Sequence, residues 1–183
     1  MSSIITSYNY IGKYKERLFM ESKNTYQELI SFGHKLLMTS NLEEGLSLIS
    51  EYLIDITGAM RCSIFLYNKE SDELWTVLAT GIGKIKISSK EGIVGYVFKS
   101  EEAIIENDVR NNPYFFKEVD TDSGYETINV LACPIFNSRN ELIGVLELLN
   151  KLDGFKEDNL QFIKLFTNFI SSFIELEPHY PRK

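Results

Sequence analysis

At 183 residues and 44% hydrophobic content, the chain can bury one proper core, and its length fits one domain with additional helix rather than two. A formal net charge of -7 argues against nonspecific attraction to nucleic acid or to an anionic membrane surface. No apolar run approaches the ~20 residues that span a bilayer, and "MSSIITSYNYIGKYKERLF" lacks the h-region and cleavage site of a secretory signal. Cys62 and Cys133 both sit in apolar, strand-like runs, so buried free thiols in a cytoplasmic protein are expected. With no CxxC and only His34 and His179, no zinc site is expected.

Residues 14–38 read as a helix, with Phe19, Tyr26, Leu29 and Leu36 at helical spacings. In "TSNLEEGLSLISEYLIDITGA" Asn41 can cap a second helix, with Glu44 completing a capping box. Leu42, Leu46, Ile49, Leu53 and Ile54 would form its apolar face, and Gly58 would end it. "RCSIFLYNKESDELWTVLATG" predicts a hairpin around the polar turn "NKESDE". "KIKISS" alternates like a half-exposed strand, "EGIVGYVFKSEE" predicts about two helical turns, and "AIIEND" predicts a short strand. Two further strands, "INVLACPIFN" and "ELIGVLELLNK", flank the turn "SRNE". A last helix is expected from Glu157 to Glu177, lined by Leu160, Ile163, Phe166, Phe169 or Ile170, and Phe173, and stopped by Pro178.

Strands in mid-chain between long terminal helices predict an α+β fold with a central antiparallel sheet of about six strands. The helices at 42–57 and 157–177 would cover one face. The connections at 81–127 would cover the other and form a pocket. The organisation expected is an N-terminal extension and helix at 1–38, a domain at 39–177 and a tail at 178–183. With no nucleophile motif, metal cluster or phosphate-binding loop signature, no enzyme is expected.

The segments "CSIFLYNKESDEL", "EGIVGYVFKSEE" and "VLACPIFNSRNELIGVLELLNK", with the closing F-x-E-D-x-L, stand in an order and spacing that resemble the GAF domain from about Leu42 to Glu177. Within that superfamily, "NPYFFKEVDTDSGYETINVLACPI" is most similar to the regulatory GAF domains of cyclic-nucleotide phosphodiesterases and adenylate cyclases. The resemblance implies a sensory domain that binds cAMP or cGMP, with no covalent cofactor, in a pocket closed by a lid at 109–127. It implies that Ile93 and Val94 present backbone amides to the cyclic phosphate and that Ser63 faces the ligand from a strand. Phe116 would pack on the ligand at a position where Tyr is usual. Asp120, Ser123 and Thr127 would supply lid oxygens, with Ser where Thr is usual at 123, and Glu147 would be the acid of the last strand. Two departures stand out. Ala79 and Thr80 occupy a place where nucleotide binders often carry an aromatic residue followed by Asp. Of the Asn-Lys-Phe-Asp-Glu signature, Asn150, Lys151 and Phe155 fit, while Asn159 and Leu160 replace the acidic pair.

Chemistry supports these placements and leaves alternatives open. A helix start at Gly92–Gly95 offers unsatisfied N–H groups to an anion, or the glycines serve packing alone. Lys84, Lys86 and Lys90 would soften the acidic field of the lid. Asp120 and Ser123 could equally organise their own loop. Glu147, in an otherwise apolar strand, must face a polar pocket or solvent. The alternative to a ligand-binding sensor is a ligand-free dimerisation and signal-transmission module with a vestigial pocket. The terminal helices, including the stripe Phe19, Ser22, Tyr26, Leu29, Gly33, Leu36, are expected to form a homodimer bundle.

Overall fold

The computed structural model describes residues 27–81, 84–116, 120 and 124–176. The chain divides into two compact units, Met1–Thr39 and Ser40–Lys183. In the first, residues 27–37 form a helix, α1. The earlier part of the expected helix, with Phe19, Ser22 and Tyr26, lies outside the described residues, as do Ser123 and the tail.

The second unit runs α2 (Leu42–Thr57), β1 (Ala59–Asn68), β2 (Glu73–Ala79), β3 (Lys86–Ser88), α3 (Gly92–Ser100), β4 (Ile104–Glu106), a 3-10 turn (Val109–Asn111), β5 (Val130–Phe136), β6 (Leu142–Lys151) and α4 (Glu157–Leu176). The six strands form one sheet in the order β3-β2-β1-β6-β5-β4, and every neighbouring pair is antiparallel. The fold is therefore the expected α+β arrangement.

Local chemistry starts and stops the helices. Asn41 caps α2 by accepting the Glu44 N–H at 2.9 Å. The reciprocal bond of the capping box closes one residue earlier than the sequence suggests. Glu44 accepts the backbone N–H and the hydroxyl of Ser40, at 2.7 and 2.6 Å, rather than the Asn41 N–H. In α4 the buried line is Leu160, Ile163, Phe166, Ile170 and Ile174. Phe169, a candidate for that line, instead stands 47% exposed, because a step of seven from Ile163 reaches Ile170 and continues to Ile174.

Both faces of the sheet are covered, which is why its central strands read as almost unbroken apolar runs. α2 packs on β1 and β2, α4 packs on β5, and the two helices touch one another, with the Tyr52 and Phe166 rings stacked at 5.4 Å. On the opposite face α3 lies over β5 and β6. Its Ile93, Val94 and Val97 join Phe65, Val130, Ala132, Val145 and Leu149 in a second apolar cluster. The side-chain period of two sorts each strand between these layers. The β1 residues Cys62, Ile64 and Leu66 alternate with Arg61, Ser63 and Phe65, and register places Ser63 opposite Glu147 and Phe65 opposite Val145. β1 and β6 approach so closely at Gly144 that a Cβ there would run into the Phe65 carbonyl oxygen. Among the described residues no helix is long and apolar enough to cross a membrane.

Candidate functional site

Between the α3 face of the sheet and the segment leading into β5 lies a cavity of about 670 Å3, open solvent at its mouth included. Its floor is strand surface. Arg61, Ser63 and Phe65 come from β1, Val130 from β5, and Glu147 and Leu149 from β6. Gly92, Ile93 and Val94 of α3 form one wall with Ile85 and Ile87, and Phe115, Phe116, Asp120, Tyr125 and Thr127 complete the lining. Of the eight residues named from the resemblance, Ser63, Ile93, Val94, Phe116, Asp120, Thr127 and Glu147 border this one cavity.

The wall at α3 is set by the turn before it. Asp72 accepts hydrogen bonds from Ser89 Oγ at 2.6 Å, Lys90 Nζ at 2.9 Å and Tyr67 OH at 3.1 Å. These partners, Ser89 first, pull its carboxyl down to about 2. Lys90, expected to soften the field of the lid, is thus held by Asp72. Gly92 enters α3 with φ 73, a conformation open to glycine and costly for other residues. The residue before it, Glu91, makes no side-chain cap. Among the described residues no side chain caps the first-turn N–H groups of Ile93 and Val94, which stand at the cavity edge.

The lid oxygens bond one another. Asp120 accepts the Thr127 N–H at 2.6 Å and its hydroxyl at 2.7 Å, the loop-organising role that the sequence left open for this carboxylate. Downstream, Asn150 fastens the loop to β6. Its Oδ1 accepts the Ile128 and Asn129 N–H groups, at 2.7 and 3.3 Å, and its Nδ2 donates to Glu126 O at 2.7 Å. Lys151 donates to Thr57 O at 2.7 Å, and the Phe155 N–H donates to Asn107 Oδ1 at 2.8 Å. The part of the family signature retained here is thus structural: it ties loops to the sheet. Arg110 pairs with Glu126 at the same end of the lid.

Glu147 is the chemically distinctive floor residue. Burial, and secondarily the charge of Asp120, push its carboxyl up to about 7. Two further residues were not singled out in the sequence. Arg61 lies over the Tyr125 ring, 3.5 Å from its centroid. The Arg61 Nη1 is enclosed with no hydrogen-bond partner among the described residues, which leaves a donor that a ligand acceptor could satisfy. Period two would have found Arg61, since it precedes Ser63 by two residues on the same strand. Tyr125 carried no comparable signal, because its position depends on how the loop folds over the floor.

Neither Ala79 nor Thr80 lines the cavity. The Thr80 hydroxyl accepts the Cys62 N–H at 2.9 Å and donates to Cys62 O at 3.2 Å, closing the end of the β1–β2 pair. The thiols lie in the other layer: Cys62 neighbours Ser50 of α2, and Cys133 neighbours Thr167 and Lys164 of α4. Burial pushes them up to about 12 and about 11. Among the described residues no group of three or more His, Cys, Asp or Glu side chains is arranged to hold a metal.

This sheet, with helices on one face and a cavity on the other, defines a class. Residues 41–174 match the GAF domain family, and the chain belongs to it. It is 25% identical over 167 residues to the dual 3',5'-cyclic-AMP and -GMP phosphodiesterase 11A of Takifugu rubripes, a match covering 87% of this chain and 18% of that protein. The chain therefore spans about a fifth of that relative's length. Among solved structures, the GAF domain from a phosphoenolpyruvate-protein phosphotransferase of Coxiella burnetii superposes with a TM-score of 0.74 at 23% identity, covering 84% of this chain and 94% of the other. The GAF domain of the Acinetobacter phosphoenolpyruvate-protein phosphotransferase gives 0.70 at 18%, covering 82% and 92%. The free methionine-R-sulfoxide reductase of Neisseria meningitidis, in complex with its substrate, gives 0.69 at 17%, covering 80% and 86%. These likenesses concern the fold. The fold itself hosts regulatory domains and, in the reductase, an enzyme.

Proposed function

We propose that this chain is a sensory GAF module of a signalling protein whose cavity takes a cyclic nucleotide, cAMP or cGMP, beneath the lid at 109–127. One observation carries the reading: a single cavity is bordered on one side by the uncapped start of α3 and on its floor by Glu147 and Ser63. A helix start suits a phosphate, and a carboxyl on the cavity floor suits the donor-bearing edge of a purine. Ser63, Ile93, Val94, Phe116, Asp120, Thr127 and Glu147 are the ligand contacts in this reading, and Ser123 joins them from outside the described residues. The enclosed Arg61 donor adds a place for a ligand acceptor. The relative named for cyclic-AMP and -GMP supports the ligand class.

The test is a thermal-shift titration of the full chain with each cyclic nucleotide. A ligand at a hundred times its Kd adds about 2.7 kcal/mol, a shift of several degrees for a domain of this size. No shift with either compound overturns the reading in favour of a ligand-free module that dimerises and transmits helix movement. The bonds of Asp120 to Thr127 favour that second reading, because they satisfy the lid from within.

Within the same proposal the chain is not an enzyme. Both thiols face the helix layer with their pKa raised by burial, which is the reverse of what a reactive cysteine needs. The proposal also places the protein in the cytoplasm and makes it a homodimer through its terminal helices. On α4, Leu165 and Leu176 are 64% and 71% exposed, apolar surface that a partner helix would cover.

A further inference from the structure

Glu147 sits within β6 with Ser63 of β1 and Ala132 of β5 as its lateral neighbours, so its carboxyl belongs to the floor of the cavity. The charged and titratable groups that share the cavity with it are Asp120 and Tyr125 from the lid side and Arg61 from β1. Cys62, also on β1, points into the helix layer. Among the described residues no hydrogen bond or ion pair holds the Glu147 carboxyl. Burial and the charge of Asp120 bring it to about 7, so near neutrality both protonation states are populated.

We propose that Glu147 selects the base of the bound cyclic nucleotide through its own protonation, the neutral acid taking cAMP and the carboxylate taking cGMP. The inference rests on the cyclic-nucleotide reading given above. A bound phosphate is repelled by Glu147 and Asp120. Arg61 faces Leu149 in the register and is a diagonal neighbour of Glu147, so a phosphate placed there would still meet the carboxyl. That leaves the start of α3 for the phosphate and the acidic floor for the base. The edge of adenine presents the acceptor N1 beside the donor N6 amino group. A carboxylic acid presents a donor O–H beside an acceptor C=O, and the two edges match. The edge of guanine presents two donors, N1–H and the N2 amino group, and only the carboxylate accepts both. In the mismatched pairs a lone pair faces a lone pair or a donor faces a donor, and a buried polar group is left unsatisfied. Neither base nor the cyclic phosphate titrates near neutrality, so the switch belongs to the protein.

The experiment is calorimetric titration of the full chain with cAMP and with cGMP at pH 6 and pH 8, repeated on Glu147→Gln. When only one protonation state binds, apparent affinity scales with the fraction of that state. For a group titrating near 7, the cAMP affinity then falls about tenfold and the cGMP affinity rises about tenfold between the two pH values. At pH 7, titrations in buffers of different ionisation enthalpy should show about half a proton taken up with cAMP and about half released with cGMP. Glutamine carries a donor and an acceptor at any pH, so the variant should keep cAMP binding, lose the pH dependence and disfavour cGMP throughout. Parallel pH dependence for the two compounds overturns the switch while leaving the ligand class standing, and so does a slope that persists in Glu147→Gln. No heat with either compound at either pH removes the cyclic-nucleotide reading and this inference with it.

Discussion

A carboxyl held in a protein interior at about 7 leaves a signature in stability that needs no ligand. The folded protein binds the Glu147 proton more tightly than the unfolded chain, whose carboxyl titrates near 4.5. Stability from this group is therefore fully present below about 4.5 and declines as the pH rises to about 7, after which it stays flat. Glu147→Gln removes the titration. Relative to the native protein, the variant should be about 1–3 kcal/mol more stable at pH 8 than at pH 4.5, measured by urea denaturation at both values. A difference that does not change with pH would show that the carboxyl is not held as described. In the lid, Asp120→Ala removes the acceptor of two hydrogen bonds to Thr127, and Thr127→Ala removes a donor. Each should weaken cyclic-nucleotide binding by about 1–3 kcal/mol with the thermal midpoint of the free protein little changed, since these residues lie outside the apolar layers. Unchanged affinity in both variants would remove the lid from the site.

At the scale of elements, the cavity exists because β6 holds two things in place. Near its start it lies against β1 with no room for a side chain at Gly144, and its end fastens the loop before β5 through Asn150. Gly144→Ala should cost about 3 kcal/mol or more, because the clash is with backbone that the sheet ladder fixes. Gly45→Ala is the control: there the added methyl meets the tip of the Phe173 ring, which can swing aside, so the loss should be clearly smaller. Equal losses would contradict the close approach of β1 and β6. Asn150→Ala deletes three hydrogen bonds at a residue with φ 56, and should lower stability by about 2–4 kcal/mol. Hydrogen exchange of the Ile128 and Asn129 amides should rise in that variant before the rest of β5 is affected.

For the whole molecule, the proposed dimer is tested by light scattering on the full chain and on a version lacking residues 1–38. A full-length monomer would refute it, and a truncated dimer would move the interface to α4 alone. The element order, the α+β class and the two apolar faces were legible in the residues alone, because those follow from periods of 3.6 and 2 in side-chain pattern and from local signals such as Asn41 and Gly58. Glu147 stood out there too, since a lone acid within an apolar strand conflicts with burial on both faces. Partnership across distance emerged with the folded chain. Lys90 serves Asp72 rather than the lid field, and Thr80 closes a strand end. The Asn150–Phe155 signature ties loops to the sheet, and Arg61 meets Tyr125 over the cavity. Each of these joins residues well apart in the chain, and a side chain's own sequence neighbours carry no record of which distant backbone or ring the fold will bring within hydrogen-bonding reach.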